Sequence, residues 1–223
     1  MKTCVITPTY NEAKSIAELV RQICEQNLQP LVIDDGSDDN TAQIAKENGA
    51  IVLRNEQNQG KGASLIRGFH YALEQNFDAV ITMDGDGQHL VSDIPYFMRL
   101  AAYSDGDIFI GNRMNRPKSM PWLRLGTNKF MSWLISLIAK QKIPDTQCGF
   151  RLIKKDVLEK VNLKTSKYET ESEILIQAAR LGFKIESVPI KTVYGSEKSR
   201  INPIVDTARF IRFILKQIWT TLH

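Results

Sequence analysis

Along the first half of the chain, short apolar runs alternate with segments in which apolar residues recur every three or four positions. TCVITP, PLVIDDGS, AIVLRN, DAVITMDGD and DIFIGNR each carry a block of Val, Ile or Leu and end on polar residues. That is the pattern of strands buried on both faces. After the first run, Ile16, Leu19, Val20, Ile23 and Cys24 fall on one helical face. DDNTAQIAKENG reads as a second helix stopped at Gly49, and Leu65, Ile66, Phe69, Ala72 and Leu73 line a third. Strands alternating with helices predict an α/β fold with a mostly parallel central sheet flanked by helices.

The second half is less regular. Residues 120–140 form a long apolar stretch, followed by the loop PDTQCGFRL, a helix near 169–181 and a strand or strand pair in FKIESVPIKTVY. Two readings stand for 120–140: a buried core helix, or a segment at a bilayer surface carrying Trp122 and Trp133 beside Arg124, Lys129, Lys140 and Lys142. A final helix is expected from Pro203 nearly to the end. There Ile204, Ala208, Ile211, Leu215, Ile218 and Leu222 make an apolar stripe opposite Arg209, Arg212 and Lys216, and Phe213 interrupts the polar face. Internal basic residues make spanning a bilayer costly, so this helix is expected to lie in a membrane interface, or to pack on the protein or a second copy.

Composition narrows the picture only a little. With 223 residues, 43% hydrophobic and 24% charged, the chain is long enough for one well-buried domain. A net charge of +4 hints at anionic partners and does not suggest nucleic acid. Cys4, Cys24 and Cys148 are odd in number and lack C-x-x-C spacing, which favours a reducing compartment over a disulfide or metal framework. No signal peptide or membrane-spanning run is read, so the expected location is the cytoplasm or the cytoplasmic face of a membrane.

Ligands of such sheets gather outside the carboxyl ends of the strands. That rule places PTYNE, DDGS, DGDGQH and GNR along one edge. Asp84 and Asp86 end the fourth strand with Gly85 and Gly87 beside them, so a ligand can come close to bare backbone. Asp86 and Gln88 offer hard oxygen donors suited to Mg²⁺ or Mn²⁺. His89 is a further contact, an orienting neighbour or a structural residue. DDGS alone would be an ordinary Asp-Gly turn, and its place beside PTYNE favours a ligand contact instead. GKG at 60–62 is not a P-loop, because the earlier glycine and the Ser or Thr after Lys61 are both missing. Lys61 is left between contact with a phosphate or base and a solvated helix cap.

Taken in order, PTYNE (8–12), DDGSDDNT (34–41), NQGKGASLIRGFHYA (58–72), MDGDGQH (83–89), GNR (111–113) and DTQCGFRL (145–152) resemble the family-2 inverting glycosyltransferases. The likeness is strongest to their dolichyl- and polyprenyl-phosphate hexose synthases, glucose- or mannose-transferring. It implies the GT-A fold, a Rossmann-like nucleotide-diphospho-sugar transferase, in residues 1–202, with 203–223 as an amphipathic interfacial helix. It also implies that Asp84 faces the ribose and the metal, while Asp86 and Gln88 bind the metal. By the same resemblance Pro8, Tyr10 and Glu12 line the nucleotide pocket and Asp35 meets the base. Lys198 or Arg200, in YGSEKSR, closes over the pyrophosphate.

The implied reaction moves a hexose from UDP-glucose, or GDP-mannose, to a dolichyl or undecaprenyl phosphate at the cytoplasmic membrane face. The acceptor phosphate is already anionic and would need cations rather than a base, with Arg113, Arg124 and Asn128 as candidates. Asp145 would orient the acceptor loop. Two alternatives remain: a sugar or lipid hydroxyl acceptor with Asp145 as the base, and a non-catalytic nucleotide-sugar-binding protein. A homo-oligomer or a partner membrane protein is left open.

Overall fold

The computed structural model describes residues 1–114, 120, 122–191, 209–215 and 217, with Leu123 and Arg124 described as backbone alone. Strands β1 (Thr3–Thr9), β2 (Gln29–Asp34), β3 (Ile51–Arg54), β4 (Ala79–Thr82) and β5 (Ile108–Asn112) are the five apolar runs of the first half. Between them lie α1 (Ile16–Glu25), α2 (Thr41–Glu47), α3 (Lys61–Glu74) and α4 (Ile94–Tyr103). The rest comprises α5 (Trp122–Ala139), β6 (Arg151–Lys154), α6 (Lys155–Lys160), α7 (Thr170–Arg180) and β7 (Ile185–Pro189).

The seven strands form one sheet in the order β3-β2-β1-β4-β6-β5-β7. All neighbours are parallel except β6, which runs antiparallel to both β4 and β5. Strands β1, β2, β4 and β5 are buried along nearly their whole length, as continuous Val/Ile runs require. Helix α3 comes close to the sheet because Gly68 has no side chain: a Cβ there would lie 2.7 Å from Ile6 Cγ2. This is the GT-A arrangement, a Rossmann-like sheet with helices on its faces.

Two sequence expectations change. PDTQCGFRL is not loop throughout, since Arg151 and Leu152 open β6. The described part of the final helix also packs on the protein through a face other than its apolar stripe. Residues 209–215 are helical, but Ile211 and Leu215 are 53% and 63% exposed. Phe213, read as a defect in the polar face, is buried with Ile214 against Ile135 of α5 and Ile176 of α7. Arg180 of α7 fixes the same helix, donating to the side chain and the carbonyl of Gln217 at 2.7 and 2.8 Å. The boundary drawn at 202/203 and the start at Pro203 lie outside the described residues. On α5, Trp122, Phe130, Trp133 and Leu137 face outward while Ile135 is buried, so neither reading of 120–140 holds for the whole helix.

Candidate active site

Every parallel strand of the first half ends on the same edge, and there its polar tail is laced to its neighbours. The PTYNE turn carries Asn11 at φ 54°, a left-handed conformation that Asn tolerates. The Asn11 N–H donates to Ser37 Oγ at 2.9 Å, and Asn11 Oδ1 accepts from the Asp38 N–H at 2.9 Å. The Glu12 N–H donates to Thr41 Oγ1 at 2.9 Å. Ser15 Oγ then reaches the Gly85 carbonyl at 2.7 Å, which joins this turn to the tip of β4. Pro8, Tyr10 and Glu12 are half-buried along this seam.

Asp35 sits at the second strand end and is 4% exposed. Its carboxylate accepts from Asn55 Nδ2 at 2.7 Å and from the N–H groups of Gln59 and Gly60 at 2.9 and 2.7 Å. The residue expected to meet a base therefore also holds the turn that leads into α3. Gly36 completes the packing: at φ 76°, a Cβ would lie 2.9 Å from the Gln57 backbone.

The tip of β4 is the most highly charged point of the edge. Lys61, the first residue of α3, places Nζ 2.6 Å from Asp84 Oδ1 and 3.0 Å from Glu171 Oε2 on α7. His89 Nε2 lies 3.6 Å from Asp84 Oδ2, and its ring packs on Phe150. Burial alone would push the Asp84 carboxyl up, but Lys61 and His89 outweigh it and hold the group well below the usual carboxylate range. Burial likewise disfavours the Lys61 ammonium, and Asp84 and Glu171 more than reverse that. Asp86 is different: burial first and the neighbouring Asp84 second raise its carboxyl above the ordinary value. Its Oδ1 accepts the nearby Gln88 N–H at 3.0 Å.

Asp84, Asp86 and the half-buried Gln88 lie within five positions of one another just past β4, and their oxygens are of the hard type that would hold Mg²⁺ or Mn²⁺ together with diphosphate oxygens. The raised Asp86 carboxyl is the second sign of fit, since added positive charge would relieve the crowding of negative charge there. Bare backbone surrounds the set. A Cβ at Gly149 would come within 2.9 Å of Asp84 Oδ2 and 3.1 Å of Glu171 Oε1.

The expected acceptor residues are placed less uniformly. Asp145 is fully buried, and Arg113 grips it with Nε–Oδ2 at 2.7 Å and Nη2–Oδ1 at 2.9 Å. The Arg113 N–H adds a third bond to Asp145 at 3.0 Å. An acid so enclosed cannot reach an acceptor hydroxyl, which removes Asp145 as the base of the hydroxyl-acceptor alternative. Asn128 is 8% exposed on α5, with its amide against the Met120 sulfur at 3.8 Å. The Arg124 side chain, Lys198 and Arg200 fall outside what is described.

Two more residues belong to this cluster: Glu171, which sequence reasoning passes over, and Arg151, which it leaves as a partner for Asp145 or plain surface charge. Glu171 lies in the first turn of α7, where an acid reads as ordinary helix-terminus chemistry. Arg151, 2% exposed, donates to the carbonyls of Cys148, Thr146 and Glu171 at 2.8, 3.0 and 2.5 Å. It ties the 145–150 loop to α7, and in the sequence it looked like surface charge or a partner for Asp145.

Comparison with known proteins identifies this arrangement. The profile of glycosyl transferase family 2 matches residues 4–161. A UDP-N-acetylglucosamine–dolichyl-phosphate N-acetylglucosaminyltransferase of Methanococcus voltae is 33% identical, over 85% of this chain and 85% of that one. Among solved structures, mannosyl-3-phosphoglycerate synthase of Rubrobacter xylanophilus superposes with a TM-score of 0.77 at 19% identity, covering 100% of this chain and 74% of that one. Glucosyl-3-phosphoglycerate synthase of Mycobacterium tuberculosis, solved with Mn²⁺, UDP and glucosyl-3-phosphoglycerate, gives 0.73 at 18% identity, with 98% and 79% covered.

These structures correct the narrower sequence reading. At 18–19% identity these structures share their fold with the chain, and their names give phosphoglycerate rather than a polyprenyl phosphate. The sequence expectation of the polyprenyl-phosphate branch, with its lipid-phosphate acceptor, membrane partner and membrane-face location, is therefore not what these solved neighbours carry, and the assignment goes back to the family. No helix among the described residues is long and apolar enough to cross a membrane. What sequence, fold and site share is broader: the chain belongs to glycosyl transferase family 2.

Proposed function

We propose that the protein is an inverting, metal-dependent glycosyltransferase that moves a hexose from a UDP-sugar to a hydroxyl group of its acceptor. The observation that carries this reading is the β4 tip, where Asp84, Asp86 and Gln88 project beside bare Gly85 and Gly149. Asp86 and Gln88, with Asp84, would hold Mg²⁺ or Mn²⁺. When bound, that ion supplies charge to offset the diphosphate that leaves with the nucleoside. The Mn²⁺ and UDP present in the solved mycobacterial synthase support the choice of ion and nucleotide.

The chain's own groups then divide the work. The seam of Pro8, Tyr10, Glu12 and Asp35 receives the nucleoside, and Lys61 faces the diphosphate. A hydroxyl nucleophile needs a base, worth roughly 10²–10⁴-fold in rate. With Asp145 enclosed by Arg113, we assign that role to Glu171, whose side chain is 14% exposed beside Asp84. Attack from the face opposite the departing diphosphate inverts the anomeric centre.

The test is a donor and acceptor screen. Purified protein is given Mn²⁺ and UDP-[¹⁴C]glucose or UDP-N-acetyl[¹⁴C]glucosamine, with 3-phosphoglycerate first among a panel of hydroxyl acceptors. Label should move into a charged, water-soluble product, and Asp86→Ala should abolish the transfer while keeping the circular dichroism spectrum. Label recovered only in an organic phase after addition of a lipid phosphate, or full turnover by Asp86→Ala, overturns the proposal.

A further inference from the structure

The carboxylates at the β4 tip already share a cation, and that cation belongs to the chain. Lys61 Nζ stands 2.6 Å from Asp84 and 3.0 Å from Glu171, and the three side chains are only 19%, 30% and 14% exposed. Its backbone is clamped. The Ala63 N–H donates to the Ser166 carbonyl at 2.9 Å, and a Cβ at Gly62 would lie 2.0 Å from Thr170 Oγ1. The start of α3 is thus fixed against the start of α7, and the ammonium can move only by turning its own side chain between the two acids.

A divalent ion would bind the same Asp84 at about 2.1 Å from an oxygen. An ammonium 2.6 Å from that carboxylate would then face the ion across a few ångströms of a poorly solvated site, where like charges repel strongly. With both cations on Asp84, each weakens the hold of the other. A nucleoside diphosphate removes the conflict, because it brings negative charge for the ammonium as well as oxygens for the ion.

We propose that Lys61 is the resident counter-ion of the empty site. It occupies Asp84 until the metal arrives with a nucleoside diphosphate, then gives Asp84 up and keeps Glu171. Lys61 is in this sense a positioning residue that makes metal and nucleotide bind together, rather than metal first. The inference rests on the reading that Asp84 and Asp86 hold a divalent ion.

The experiment titrates Mn²⁺ into the full chain, with and without UDP, and follows free Mn²⁺ by electron paramagnetic resonance. Lys61→Gln should bind Mn²⁺ alone about 10-fold more tightly than wild type, within the usual range of coupling between sites. The gain in Mn²⁺ affinity on adding UDP should shrink in that variant. Lys61→Arg, which keeps the charge, should stay near wild type. Glu171→Gln leaves Asp84 as the ammonium's one acid partner here, so it should weaken Mn²⁺ binding measured with UDP present. It also provides the test should Lys61→Gln fail to fold. Wild type that binds Mn²⁺ with UDP while Lys61→Gln matches it without UDP overturns this inference alone. Absence of Mn²⁺ binding by every variant, even with UDP, overturns the metal reading beneath it.

Discussion

Arg113 and Asp145 form a closed two-point ion pair, Nε to Oδ2 at 2.7 Å and Nη2 to Oδ1 at 2.9 Å, with side chains 7% and 0% exposed. The pair joins the end of β5 to the loop that precedes β6. Asp145→Asn keeps the shape but leaves a buried guanidinium without its counter-charge. Breaking such a pair from one side typically costs about 3–5 kcal/mol. Urea unfolding of Asp145→Asn should show a loss of that order, and the double variant Arg113→Met, Asp145→Leu should recover a large part of it.

Gly149 marks the closest backbone approach to the charged cluster. A methyl group there would press on both Asp84 and Glu171 at 2.9 and 3.1 Å. Gly149→Ala should therefore lower kcat by 10-fold or more while shifting the melting temperature by only a few degrees, about the scale of 1 kcal/mol or less. A steady-state assay beside a thermal melt checks both halves.

Glu171 as base predicts a particular kinetic signature. Assayed at saturating Mn²⁺ and UDP-sugar, so that weaker metal binding does not enter, Glu171→Gln should lower kcat by about 10²–10⁴-fold. Turnover that returns to the wild-type level at saturating Mn²⁺ and UDP-sugar would point to a role in binding alone.

The cysteines give a prediction that does not depend on the reaction. Cys4 and Cys148 are fully buried, whereas Cys24 is exposed. Burial pushes both buried thiols up from 9.0 to about 12. A folded-state value above the unfolded one means that ionisation opposes the fold. Their contribution is present below pH 9 and is lost as pH rises toward 12. A thiol reagent at pH 8 should modify Cys24 alone in native protein and all three cysteines in denaturant. The urea midpoint should fall between pH 8 and about pH 10, and less steeply in Cys148→Ala.

Much of the edge could be read from the chain because a parallel sheet turns sequence order into position. Asp84, Asp86 and Gln88 follow an apolar run, and a run of that kind has to end at the ligand-bearing edge. The PTYNE and DDGS turns could be placed beside them by the same rule. Glu171 could not, since its partner Lys61 lies 110 positions away and nothing local distinguishes it from other acids in the first turn of a helix. Arg151 was hidden because β6 has only four residues, and its pairing with β4 and β5 is a tertiary fact. Phe213 shows the limit of helical stripes. Which face turns inward was decided by Ile135 and Ile176 on other helices, not by the balance of charge along the last one.

The short β6 has a consequence for how the chain must assemble. Strands β3, β2, β1 and β4 make one ribbon and β5 with β7 another, and β6 alone is hydrogen-bonded to both. Among the described residues, no strand other than β6 bridges the two ribbons. Joining them should thus need a four-residue wedge to close between strands that are distant in sequence, a slow kind of event. A proline at Leu152 should stall maturation there, leaving a nucleoside-side half that is formed and an opposite half that is not.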